Sequence, residues 1–234
     1  MSIEKNVACY ETIYRNVVNG KAEPMSVPAE NLVRMIKLER IAPQVAESDV
    51  ALDFGCGDGR NTKFLSDRGY QIIATDVSQA AIDATRLRMG AKPIQTVVLG
   101  IGAHRIPAAD GALSLIVSWE TLHWLGSREM FAHYFREFVR VLEPRGHLVF
   151  TMPTEQHYIK LNALEIGFSQ YQCQSENRED MIMYAPNLPT LRVIIREHGF
   201  ALKTVKTYAF GDDSPEWGGA HNRFSMYAFH CVAA

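Results

Sequence analysis

The chain is poor in cysteine, and its four cysteines, Cys9, Cys56, Cys173 and Cys231, form no C-x-x-C pair in 234 residues. That scatter suggests neither a zinc cluster nor a disulfide framework, and a reduced cytoplasmic setting is expected. The eight histidines fall at no H-E-x-x-H or comparable spacing, so metal catalysis has no sequence handle and no metal is expected. Net charge is scarce as well, at -2, which argues against binding to phosphate backbones and leaves no nucleic-acid partner expected. There is also no long apolar run. The start, Met1 to Asn6, leads into an interrupted polar pattern rather than a signal or membrane helix, so no membrane partner is expected.

What is present is an ordinary globular balance, 47% hydrophobic and 21% charged, enough to build a core without disulfides or metal. From residue 50 onward, short β-branched or apolar runs alternate with helical patterns, the mark of βαβ units around a mainly parallel sheet. The runs are Val50 to Phe54, Gln71 to Thr75, Thr96 to Leu99, Leu113 to Ser118 and His147 to Met152. Ser78 and Ser127 stand where they cap the helices that follow, and Glu143 to Gly146 reads as a turn. Leu188 to His198 reads as a helix closed by Gly199, followed by strands Ala201 to Phe210 and Arg223 to Val232. Their short connection makes the last two strands antiparallel.

The expected fold is therefore α/β: a Rossmann-like seven-stranded mixed sheet, mostly parallel with an antiparallel last strand, sandwiched by helices. One domain spans 1–234, divided into an N-terminal helical cap (1–45), a cofactor-binding half (46–152), a substrate-side insertion (153–187) and a C-terminal helix and hairpin (188–234). Helices are expected around Ile3 to Val18, Pro28 to Ile41 and, capped by Thr154 and ended by Gly167, through Ile166. The stretch Tyr171 to Met183 is polar and unassigned.

The first strand runs into Asp53-Phe54-Gly55-Cys56-Gly57-Asp58-Gly59, a glycine loop at the carboxyl end where open α/β sheets bind ligands. Its glycines permit a tight turn, and the helix beginning near Asp58 presents unpaired amides to a ligand. Asp76 ends the second strand, where an acid accepts bonds from a ribose diol; its bland alternative is to cap the Ser78 region. A dinucleotide loop wants glycine at residue 60, which is Arg, and Asp53 and Asp58 repel a pyrophosphate while suiting a cation.

With these residues in view, Val50 to Gly59, Ile72 to Asp76, and Leu113 to Ser118 with Val139 to Phe150 resemble the successive motifs of class I S-adenosylmethionine-dependent methyltransferases. The resemblance covers residues 48 to 152. It implies that Asp53, Gly55, Cys56 and Gly57 face the methionine moiety of S-adenosyl-L-methionine, Asp76 the ribose and Val77 the adenine. Ser118 closes the fourth strand nearby. The resemblance further implies that Gly102 and the Ala103 amide meet the adenine, with His104 replacing or flanking an acid that family members often carry there and this chain lacks.

For transfer, Ser118 to Leu125 is the best-placed polar cluster. His123 and Glu120 are the catalytic candidates, each weighed against a role in ordering the loop. Trp119, Tyr14 and Tyr158 are candidate substrate contacts, each with packing as the alternative, and Tyr10, Trp124 and Trp217 are further wall candidates. The function expected is methyl transfer to a small-molecule O, N or S acceptor, by a monomer or homodimer. The alternatives are a cofactor-binding regulatory module and a nicotinamide-dependent oxidoreductase.

Overall fold

The computed structural model describes residues 4–42, 44–100, 102, 104–174, 180–210 and 224–234. Two helices come first, α1 (Glu4–Val18) and α2 (Glu30–Leu38). The alternating part then runs β1 (Val50–Phe54), α3 (Arg60–Asp67), β2 (Gln71–Asp76), α4 (Gln79–Met89), β3 (Gln95–Val98), β4 (Leu113–Ser118), α5 (Arg128–Val141) and β5 (Leu142–Pro153). An insertion follows, with α6 (Tyr158–Leu161), β6 (Leu164–Gly167), β7 (Gln170–Gln174) and β8 (Asp180–Tyr184). The chain ends with α7 (Leu188–Glu197), β9 (Phe200–Phe210) and β10 (Phe224–Ala233).

The main sheet has the order β3-β2-β1-β4-β5-β10-β9. Neighbours from β3 to β5 pair in parallel, and β10 alone runs antiparallel to both its neighbours. This is the expected Rossmann-like seven-stranded sheet with an antiparallel last strand. Successive strand residues face opposite sides, so two cores form. Leu52, Phe54, Ile116, Leu148 and Phe150 pack under α5 and α7, while Ala51, Ile72, Leu115, Val117 and Val149 pack under α2, α3 and α4. Helix α5 supplies Phe131, Tyr134, Phe135, Phe138 and Val141, an i, i+3, i+4, i+7 stripe that is entirely buried.

Both expected serine caps form: Ser78 Oγ accepts from Ala81 N at 3.0 Å, and Ser127 Oγ accepts from Met130 N at 3.2 Å. Two readings need correction. The Glu143 to Gly146 stretch belongs to β5, which begins at Leu142 and is irregular, with Arg145 at φ 69°. The helix from Thr154 to Ile166 does not form. Thr154 Oγ1 instead donates to Ser225 Oγ and accepts from Gln156 N, His157 caps a single turn, and Leu164–Gly167 pairs with β7. The pairing of β6, β7 and β8 satisfies the backbone through contacts that a local helical pattern does not encode.

Helix α1 is pinned across the sheet's carboxyl edge. The buried Asn6 side chain donates to Trp124 O (2.9 Å) and Ile182 O (2.8 Å) and accepts from Ile182 N (2.9 Å). One turn further on, Glu11 accepts from Ser78 Oγ (2.7 Å) and Ala80 N (3.1 Å), filling the amide end of α4.

Candidate functional site

Strand order reverses between β1 and β4, and ligand sites in open α/β sheets lie beyond the strand ends at such a switch. A cavity of about 430 Å³ lies there, within the range that takes a small organic ligand. Its floor is Phe54 to Asp58, Thr75 to Val77 and Trp119 to Thr121, and its roof is α1 with the segment Ala22 to Met25. Among the described residues, four carboxylates line it (Glu23, Asp58, Asp76, Glu120) against one guanidinium, Arg60.

The glycine loop is built from the strand end outward. Gly55 and Gly57 have φ of 80° and 57°, and a β-carbon on them would come within 2.2 Å of Thr121 Oγ1 and 2.5 Å of Tyr14 Oη. The loop's own amides are already engaged: Gly55 N and Cys56 N donate to Thr75 O, and Gly57 N donates to Asp76 Oδ2 at 3.0 Å. Asp76 also accepts from Ser78 N, so its bonds order the loop while it lines the cavity. Burial raises its pKa to about 6.

The start of α3 departs from expectation. Two of its first amides are engaged within the protein: Arg60 N donates to Asp58 Oδ1 at 3.3 Å, and Thr62 donates to Asp53 from both its backbone and its hydroxyl, the latter at 2.6 Å. Asp53 is buried beneath the loop and does not line the cavity; burial lifts its pKa to about 6. Asp58 also pairs with Arg88 at 2.9 Å and accepts from Met25 N at 2.7 Å, tying the roof to α4. Two side-chain carboxylates thus occupy the helix end where a dinucleotide's pyrophosphate would sit.

Of the other cofactor-side residues, Gly55, Cys56, Gly57, Val77 and Gly102 line the cavity. Burial holds Cys56 as a thiol, bonded by Thr85 Oγ1. Ser118 is buried off the cavity, with no partner for its Oγ among the described residues. His104 is exposed and also off the lining, its ring beside Gly100 and Gly102. Ala103 and Trp217 lie outside the described residues. Tyr134 Oη closes this end by donating to Gly102 O at 3.2 Å.

At the other end, Trp119, Glu120, His123 and Trp124 all reach the cavity, as does Tyr14. Glu120 sits at φ 61°, a left-handed conformation costly for a side-chain residue, and is held by Arg60 (3.1 Å), Tyr208 (3.4 Å) and, through its backbone amide, Thr151 (2.7 Å). Trp119 stacks on Tyr208 at 5.8 Å. His123 is buried, its Nδ1 without a partner among the described residues, and burial drives its pKa well below 6.5, so it is neutral. Tyr158 does not line the cavity; its neighbour His157 does, a residue that sequence reasoning missed.

A family model described as "Methyltransferase domain" matches residues 52–150. Among curated proteins, a probable 18S rRNA (guanine-N(7))-methyltransferase of Dictyostelium discoideum is 27% identical over 184 residues, 72% of this chain and 63% of that protein. A malonyl-[acyl-carrier protein] O-methyltransferase of Legionella pneumophila is 30% identical over 122 residues, 51% of this chain and 42% of that protein. The matches thus span less than two thirds of those relatives' lengths. A solved S-adenosylmethionine-dependent methyltransferase of Methanosarcina mazei shares the fold at TM-score 0.66 and 15% identity, covering 83% of this chain and 96% of that one.

Residues 52–150 are thus similar to a methyltransferase domain family, and the sheet carries the fold of S-adenosylmethionine-dependent methyltransferases. The residues present fit the cofactor of that family. The acid-rich lining suits its cationic groups, and the Asp76 carboxylate has the lone pairs a ribose diol needs. Val77 and Leu99 give the cavity apolar wall beside Gly100 and Gly102, and no carboxylate among the described residues lines it there.

His157 carried no sequence signal. It is 34 positions from His123, and only the fold brings both rings to one wall.

Proposed function

We propose that this chain transfers a methyl group from S-adenosylmethionine to an O, N or S atom of a small acceptor held in the cavity, by direct in-line displacement. The observation that carries the reading is one roofed cavity running from the acid-bearing loop at Asp76 to the aromatic end at Trp119, His123 and Trp124. When bound, the cofactor supplies a methyl already made electrophilic by a sulfonium. The protein's part is to hold the acceptor atom in line and keep water away.

Gly55 to Gly57 and Asp76 hold the cofactor, with Asp53 acting from beneath by fixing α3. Val77 and Gly102 border the adenine. His123 takes the acceptor's proton where one must leave: it is neutral, and its carboxylate neighbour Glu120 is committed to Arg60. Roofing by α1 supports a small acceptor over a nucleic acid, although the Dictyostelium relative is named for rRNA.

Incubation with methyl-labelled S-adenosylmethionine and separate pools of low-molecular-mass metabolites and total RNA tests this. Label is expected in a small product, and the His123→Ala variant should slow its formation by about 10²- to 10⁴-fold. Label found only in RNA, or in neither pool, would overturn the reading.

A further inference from the structure

His157 is held as rigidly as a binding residue needs to be. Its Nδ1 accepts the Ile159 backbone amide at 3.1 Å, which fixes the tautomer: the proton of the neutral ring sits on Nε2. The ring is clamped by Tyr158, stacked at 4.9 Å, and by Phe224, edge-on at 4.8 Å. It lines the cavity, and the ring's hydrogen bond among the described residues is the one at Nδ1. His157 is therefore a fixed donor that cannot act as a base, on the same wall as His123, which can.

The surrounding wall narrows the acceptor further. Trp119, Trp124 and Phe224 present rings, and Met226 and Ile159 apolar surface. Among the described residues, the charge pair that lines this end, Arg60 with Glu120, is already satisfied. An anionic acceptor would lose its hydration here against an acidic lining, whereas a flat uncharged ring loses little.

We propose that His157 is a substrate-orienting residue, and that the acceptor is an uncharged planar ring compound carrying a hydrogen-bond acceptor, such as a carbonyl, for its Nε2–H. The proposal rests on the reading of this cavity as the acceptor site of a methyltransferase. An acceptor lacking that group leaves a buried donor unpaired, which is how such a site discriminates.

The test measures calorimetric binding of 2-naphthol and its positional acetyl derivatives to the full chain saturated with S-adenosylhomocysteine. At least one acetyl-naphthol is expected to bind tenfold or more tightly than 2-naphthol. His157→Phe, which keeps a ring to clamp, should erase that preference and leave S-adenosylhomocysteine affinity within twofold. His157→Gln, which can accept from Ile159 and still donate, should retain part of it. Absence of naphthol binding, equal binding of all of them, or a preference surviving in His157→Phe would overturn the proposal. Failure of S-adenosylhomocysteine to bind at all is a separate result and removes the underlying reading as well.

Discussion

Asp53 shows how a single motif residue can act without touching a ligand. It is buried, bonded by Thr62, and has its pKa raised from 3.8 to about 6. A carboxyl whose folded pKa is raised favours the folded state fully below its unfolded pKa, and that contribution is lost as pH rises through the folded value. A rise from 3.8 to about 6 corresponds to about 3 kcal/mol. Cofactor-free Asp53→Asn, which keeps an acceptor for Thr62, should therefore gain stability relative to wild type between pH 4 and pH 7, read from denaturant midpoints at both. At Gly55, alanine would put its β-carbon 2.2 Å from Thr121 Oγ1 on a left-handed backbone, and Gly55→Ala should lose at least tenfold in S-adenosylhomocysteine affinity by calorimetry. Burial of His123 makes a further prediction: with its pKa well below 6.5, the turnover rate should stay level from pH 8 down to pH 6.5, where an ordinary histidine base would be half protonated. Much of the cofactor end was legible in the sequence because glycines and acids there fall at fixed spacing within one βαβ unit. The carboxylate roles were not, because spacing places Asp53 and Asp58 near the loop without saying that α3 consumes them. The Glu120 pairing with Arg60 joins residues 60 positions apart, and no pattern announces it.

Elements read well where local pattern and tertiary demand agree. The buried stripe of α5 and the serine caps of α4 and α5 are such cases. They diverge in the insertion, where residues 154 to 166 carry a cap and a helical pattern yet become one turn and an edge strand. Leu164 and Ile166 stay exposed there, so no buried face enforces a helix. Helix α1 is the element on which closure of the site depends, and Asn6 is its anchor. Asn6→Ala would strand three bonding groups, the buried Ile182 O and Ile182 N and the partly buried Trp124 O. A stability loss of about 1–3 kcal/mol is expected by denaturant unfolding. Faster exchange of the α1 amides should accompany it, a change that a loss confined to the core would not produce.

For the whole molecule, the strand reversal beside β1 is the organising feature, because it opens a gap between helices at the carboxyl end of the sheet and α1 roofs that gap. The acidic lining and the carboxylate-filled end of α3 then set the sign of the ligand that can enter, disfavouring a pyrophosphate and favouring a cation. The central claim is thus that one cavity binds S-adenosylmethionine against Asp76. Calorimetric titration of S-adenosylhomocysteine into the wild-type chain and Asp76→Ala tests it most directly. Saturable one-to-one binding to wild type, weakened at least tenfold by the substitution, is the expected result; no binding to wild type, or equal affinity for both proteins, would contradict it.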